Sequence, residues 1–368
     1  MRKTRRGGVT GEWVAIGVGG SRMATSTNGT AWTGVGNGGL TSNSYGAGVA
    51  YGLDGSGAPL WVAVGQGSNT IATSSNRTDW TGVTANGGLD TRGFGVAYGN
   101  GLWVALGVGS NTIATSTNGT KWTGVGNGGL SSNSLGAGAA YGLDGSGAPL
   151  WVAVGSGSNS IATSSDNGVT WIGRTQTGGL SAGYGVAYGL DGSGAPLWVA
   201  VGEGTNKFVK SSNGTAWTGV TANGGINTKV FGVAYGLDGS GAGLWVAVGS
   251  GTNKIATSTN GTTWTGVTAN GGIDSEGRGV AYGNGVWVAV GSGENKIATS
   301  TNGINWTGRT INGGINIGYA VVYANGLWVA VGQGTNTIAK STNNGNTWDG
   351  VSQNGGISTY GRGIAYKP

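Results

Sequence analysis

GVAYGNGVWVAVGSGENKIATSTNGINWTGR, residues 279–309, is one full period of a repeat. GVAY at 279–282 is short and apolar, and the turn residues Asn284-Gly285 follow it. VWVAV at 286–290 is a continuous apolar run of strand length. KIATS at 296–300 alternates, and INWTGR at 304–309 follows a second Asn-Gly pair, Asn302-Gly303. Asn-Gly between β-type runs predicts tight hairpins. No window carries an apolar stripe at i, i+3, i+4, i+7 long enough for a helix. The period therefore reads as four strands, a to d, in meander order.

All sixteen tryptophans fall into two columns of this repeat. One is the Trp of W-V-A-[VIL]-G, from Trp13 to Trp328, with successive members 48, 42, 48, 47, 47, 42 and 41 residues apart. The other ends a Ser-x-Asn-Gly-x-x-Trp turn, from Trp32 to Trp348. Periods of this length built from short apolar runs indicate a propeller or solenoid. Strand b has no polar side: Trp287 and Ala289 alternate with Val288 and Val290. Such a strand is buried on both faces. A blade packed between two others meets that demand, whereas a two-sheet sandwich leaves one face wet. The chain also starts on a strand b, at Glu12-Trp13-Val14, and ends on a strand a, at Gly363-Ile364-Ala365-Tyr366. Together these supply one blade. The expected fold is all-β: an eight-bladed propeller over 9–368, closed by pairing of the C-terminal strand with the N-terminal blade. A basic, solvated and disordered arm over 1–8 precedes it.

Gly supplies 85 of 368 residues, in register with Trp, Val and Tyr, so it reads as turns and close sheet contacts rather than low complexity. Cys and His are both absent. That removes disulfides, thiolate chemistry, imidazole metal sites and His-based triads. The net charge is +6, of which Arg2, Lys3, Arg5 and Arg6 carry four; the body holds 15 bases against 13 acids, or +2. The arm suits an acidic partner, and the body offers no basic face for sequence-specific nucleic-acid binding. No apolar stretch reaches the ~18 residues of a membrane helix, and no h-region follows MRKTRR, so neither membrane insertion nor a Sec-type signal is expected. The compartment stays open, with a virion or other particle surface as one setting.

The turn before the second Trp has a recognisable form. Ser164-Ser165-Asp166-Asn167-Gly168-Val169-Thr170-Trp171 matches S-x-D-x-G-x-T-W at every fixed position. Residues 341–348 keep the spacing with Asn343 for Asp. The other six copies are one residue shorter, and Arg77 replaces Gly at 74–80. The chain thus resembles the Asp-box (bacterial neuraminidase repeat, sialidase-like) propellers over nearly its whole length. The resemblance implies a propeller with the box on the c–d hairpin, away from the usual active face. Its Asx side chain caps its own turn. Enzymes of that architecture pair two carboxylates across a glycosidic bond. The sialidase-like ones carry an arginine triad and a Tyr–Glu nucleophile pair. No F/Y-R-I-P segment is present here. Asp54, Asp144, Asp191 and Asp238 sit in equivalent GLDGSGA hairpins, spread around a ring, with one carboxylate per loop, too few for Ca²⁺. Glu203, Glu276 and Glu294 are irregular and read as solvated loop residues. No catalytic residue, metal or cofactor is expected.

What varies while the frame repeats is more informative. Counting back four residues from the strand-a Tyr gives Ala47, Phe94, Ala137, Tyr184, Phe231, Arg278, Tyr319 and Arg362. Counting back six gives Tyr45, Arg92, Leu135, Ala182, Lys229, Glu276, Ile317 and Tyr360. These positions read as d–a linkers that ring one mouth of the central channel. A mixed aromatic and charged rim is how many sugar and peptide sites are built. The candidate site is Tyr184, Lys229, Phe231, Glu276, Arg278, Tyr319, Tyr360 and Arg362. The b–c loop asparagines, such as Asn206, Asn253 and Asn295, share this face and are too regular to be other than structural. The expected function is a non-catalytic structural or binding module that meets a protein or a glycan through the channel-mouth loops. The alternative is a glycoside hydrolase of sialidase-like architecture.

Overall fold

The computed structural model describes residues 11–41, 48–131 and 138–367. The basic arm with Arg2, Lys3, Arg5 and Arg6 lies outside the described residues, as do Tyr45, Ala47, Leu135 and Ala137. The protein is an eight-bladed β-propeller of four-stranded antiparallel blades, and no helix occurs among the described residues. The innermost strands a of blades 1 to 8 are Tyr360–Lys367, Gly48–Leu53, Arg92–Gly99, Gly138–Leu143, Leu180–Leu190, Lys229–Leu237, Glu276–Gly283 and Ile315–Ala324. Each touches the next, and the eighth touches the first, so the ring is closed. Blade 7 continues through Val286–Ser292, Ile297–Ser300 and Thr307–Gly308. Its outermost strand is shorter than the sequence suggested, because Trp306 sits in a bridge to Asn270 of the preceding linker rather than in the blade's own ladder.

Blade 1 is assembled from both chain ends. Tyr360–Lys367 pairs with Glu12–Val18, with Lys367 opposite Glu12, Tyr366 opposite Trp13 and Ile364 opposite Ala15. Glu12–Val18 then pairs with Met23–Ser26, and that strand with Thr33–Val35.

The two faces of strand b serve different neighbours. In blade 6, strand b is Gly243–Ser250. Trp245 and Ala247 pack on Leu197, Val199 and Val201 of blade 5. Val246 and Val248 of the same strand pack on Trp287 and Ala289 of blade 7. Eight such clusters, one per interface, make the core. All sixteen tryptophans are buried in them. Each strand-b Trp also lies against the Tyr of its own strand a, with ring centroids 4.7–5.4 Å apart. A third apolar column went unread in the sequence: the Leu or Ile that ends each Gly-Gly linker, such as Leu89, Ile226 and Ile273, is fully buried. Its glycines hold positive φ, 67° and 81° at Gly87 and Gly88, where a side chain would be strained. A Cβ at Gly87 would stand 2.8 Å from that of Ala114 in the next blade.

Two departures from the repeat compensate each other. At six other interfaces a Leu of strand b covers the box Gly of the following blade, as Leu60 covers Gly119. At the interface of blades 1 and 2 the Leu position is Glu12 and the Gly position is Arg77, which holds φ 71°. They form an ion pair of 3.5 Å, and Lys367 of the closing strand reaches Glu12 at 3.1 Å. Glu12→Leu leaves the partly buried Arg77 guanidinium without its carboxylate, and Arg77→Gly leaves Glu12 with Lys367 alone, so each single change is expected to destabilise the protein. The double variant restores the consensus and should regain that loss. Denaturant midpoints of the four species should give a coupling on the order of 1 kcal/mol; strictly additive effects would contradict it.

Candidate functional site

Strand a of blade 6 pairs with strand b residue for residue except at one place. Val230 faces Gly249 and Gly232 faces Val248, which leaves Phe231 as an extra residue. The same interruption isolates Phe94, Tyr184, Arg278, Tyr319 and Arg362 in their blades. A β-bulge bends the strand and re-aims the residue it releases. All six described members of the first variable column are therefore bulge residues. In the other five blades a Gly precedes the bulge, where room is short: a Cβ at Gly183 would lie 2.6 Å from that of Val154 in the preceding blade, whereas blade 6 accommodates a fully buried Val230 there. The second column, including Lys229, Glu276 and Tyr360, begins these same strands. Both columns were expected in linkers. The structure corrects this, since the bulge carries the sheet past them.

The released side chains meet one another across blades. Tyr184 stacks on Phe231, with centroids 5.7 Å apart and planes at 13°. Arg278 stands 5.9 Å over the Phe231 ring and 5.1 Å over the Tyr319 ring. Arg362 stands 4.3 Å over Tyr319 and 4.9 Å over Tyr360. The two tyrosines meet edge-on at 6.5 Å. One ladder of rings and guanidiniums thus runs from blade 5 to blade 1. Each such contact adds about 0.5–1 kcal/mol at exposed positions. Glu276 forms an ion pair with Arg278 of its own strand. Away from the ladder, Arg92 lies 5.7 Å over Phe94 and donates to Gln66 of blade 2.

A third column joins the rim: the residue after W-V-A-V-G, which includes Gln66, Glu203 and Gln333. The Glu203 carboxylate accepts from the Tyr184 hydroxyl and pairs with Lys229 of blade 6 at 3.3 Å. Tyr319 donates to Gln333 at 3.4 Å. Reading Glu203 and Glu276 as solvated loop acids was wrong: both belong to strands and both are ion-paired. The signal for Glu203 was available, because its column is as irregular as the other two. That column lies some twenty residues from the other two along the chain, so only the fold brings the three together. Glu294 is exposed in its loop, as expected.

The regular polar residues are spent on the frame. Asn253 donates from its side chain to Gly224 O at 2.9 Å and from its backbone to Gly225 O at 3.0 Å, clamping the linker. Asp54 accepts from the Ser56 hydroxyl, the Ser56 amide and the Ala58 amide. The Ser56 hydroxyl foremost, with those amides, holds its carboxyl below the usual range; Asp144, Asp191 and Asp238 behave alike. At Asp166 burial opposes ionisation, but bonds from Thr170 and Ser164 outweigh it and bring the carboxyl to about 2. In the boxes, Asn28 Oδ1 accepts from the Thr30 and Ala31 amides, and the Trp32 indole donates to Gly29 O. Recesses on the box side, such as one of about 420 Å³ between blades 6 and 7 lined by Leu244, Thr257 and Ile304, are inter-blade wedges remote from the rim.

No family model matches the chain. No curated protein matches it either. Solved structures do. The computationally designed Ika8 protein aligns with a TM-score of 0.60 at 11% identity, covering 90% of this chain and 95% of its own. A putative 6-phosphogluconolactonase from Bacteroides uniformis aligns at 0.53 with 9% identity, covering 97% and 100%. YCF48 from Cyanidioschyzon merolae aligns at 0.50 with 14% identity, covering 82% and 95%. At these identities the likeness concerns the propeller alone.

Proposed function

We propose that this chain is a non-catalytic propeller of Asp-box type, a structural or binding module that meets a protein or glycan through its rim. A particle surface is a fitting setting for so uniform a frame. One observation carries the reading: the side chains that do not repeat converge into a single ladder from Tyr184 to Arg362, while the repeating polar groups are consumed within the frame. An asymmetric site on a ring needs non-equivalent residues, and these are the ones the chain places side by side. The combined Tyr184→Ala and Arg278→Ala variant should keep the propeller fold, melting a few degrees below the parent for the ladder contacts it removes. It should lose roughly tenfold or more in retention on a glycan array or on the native particle, because truncated aromatic and Arg anchors dominate interface loss. Retention equal to the parent's would move the contact to the box face or to the arm Arg2–Arg6.

A second reading, a glycoside hydrolase, is favoured by the Tyr184–Glu203 contact, which places a phenol beside a carboxylate at the rim. Release of methylumbelliferone from a panel of its glycosides, abolished by Glu203→Gln, would establish it. Absence of turnover across the panel would remove it.

A further inference from the structure

Resting on the binding reading above, we propose that the rim of blades 5 to 8 and 1 takes an acidic polypeptide segment, held by its carboxylates. Three observations lead there. First, the charge is polarised along the ring axis. The b–c loops of blades 5 to 8, with the linker ends and rim starts of strands a in blades 5 to 8 and 1, carry Lys207, Lys229, Lys254, Arg278, Lys296 and Arg362 against Glu203, Asp274, Glu276 and Glu294: six less four, or +2. On the opposite face, among the described residues, the a–b hairpins and box turns hold six aspartates, including Asp79 and Asp166, against Arg77 and Lys121: two less six, or −4. An anionic partner is drawn to the rim and repelled from the other side.

Second, the ladder occupies its own ring faces. Tyr184 and Phe231 cover each other, and Tyr319 carries a guanidinium from each neighbouring blade. Stacking on a sugar ring needs an uncovered aromatic face, so the ladder disfavours a saccharide. A guanidinium with rings at its faces keeps its planar N–H fork for a carboxylate, as Arg278 does for Glu276. Third, the chain shows what the rim accepts, because its own carboxylates already sit there: Glu276 on Arg278, and Glu203 on Lys229. These internal acids stand where ligand carboxylates would, and they compete with them.

The competition gives the test an unusual sign. Fluorescein-labelled decaglutamate is titrated into the full-length protein at low and physiological salt and followed by anisotropy. All proteins carry Gln at Arg2, Lys3, Arg5 and Arg6, so that the arm does not contribute. Lys229→Gln with Arg278→Gln should weaken binding about tenfold, and Glu203→Gln with Glu276→Gln should tighten it by a comparable factor. Lys121→Gln, on the opposite face, should change nothing, and salt should weaken all species. Three results overturn the proposal: no decaglutamate binding once the arm is neutral, indifference to the rim variants, or hyaluronan binding in place of the peptide. The last would identify an acidic polysaccharide and leave the binding reading standing. The rim as the contact surface fails separately, if the Tyr184→Ala, Arg278→Ala variant keeps full retention on the array and the particle.

Discussion

Deletion of residues 363–368 is expected to cost the protein its fold or its solubility, the largest effect foreseen here. These residues supply the partners of Glu12, Trp13, Val14, Ala15 and Ile16 in blade 1. Without them strand b becomes the inner edge of the blade, with a row of unpaired backbone groups, a template for aggregation. The loss does not stay local. Tyr366 lies 4.7 Å from Trp13, and Ile364 and Tyr366 pack into the cluster that joins blade 1 to blade 8. Ala365 packs into the cluster that joins blade 1 to blade 2. Both interfaces of one blade weaken together, and the ring opens. We expect the melting temperature to fall by about 10 °C or more, or the product to be insoluble. A truncated protein that melts as the parent does would contradict closure by the terminal strand.

Trp245→Ala should follow in size. Trp245 is fully buried, packs on Leu197, Val199 and Val201 of blade 5, and meets Tyr235 at 4.9 Å. Its indole donates to Leu190 O of the preceding blade at 2.8 Å. Truncation leaves a cavity at an inter-blade interface and deprives that carbonyl of its donor. The expected cost is roughly 3–5 kcal/mol, read as a lowered denaturant midpoint. Ile304→Ala makes the comparison, because Ile304 is 56% exposed and its loss should be close to neutral. Equal midpoints for the two variants would show that the Trp column does not hold the blades together.

The indole bond at Trp245 belongs to a wider correspondence between blades. Where a blade has the long GLDGSGA hairpin, the next blade's Trp donates to its Leu carbonyl, as Trp103 does to Leu53 and Trp198 to Leu143. Blades 3, 7 and 8 have short Asn-Gly hairpins instead, and after blade 8 the buried Trp13 indole has no acceptor among the described residues. The boxes of blades 4 and 8 are one residue longer, and Asn167 and Asn344 sit close enough to accept from Trp151 and Trp328, at 3.4 Å each. The hairpin lengths and box lengths were both visible in the sequence. Their connection was not, because the two features belong to different blades.

That distinction separates what was legible from what was not. Blade number, strand order, the two Trp columns and the closure of the ring follow from the sequence, because alternation, Asn-Gly turns and a period of 41 to 48 residues are properties of the local chain. The variable columns were legible as columns. Their conformation was not: a bulge arises when a strand must keep its ladder while passing the preceding blade, as at Gly183 against Val154, and no local pattern states that demand. Nor did the columns show which variable residues touch. Arg278 reaches Phe231 and Tyr319 from strands more than forty residues away, and Glu203 finds Tyr184 and Lys229 on two different blades. Repetition determined the frame because every blade solves the same packing problem. The rim was decided only when the ring closed and set eight non-equivalent strand starts side by side.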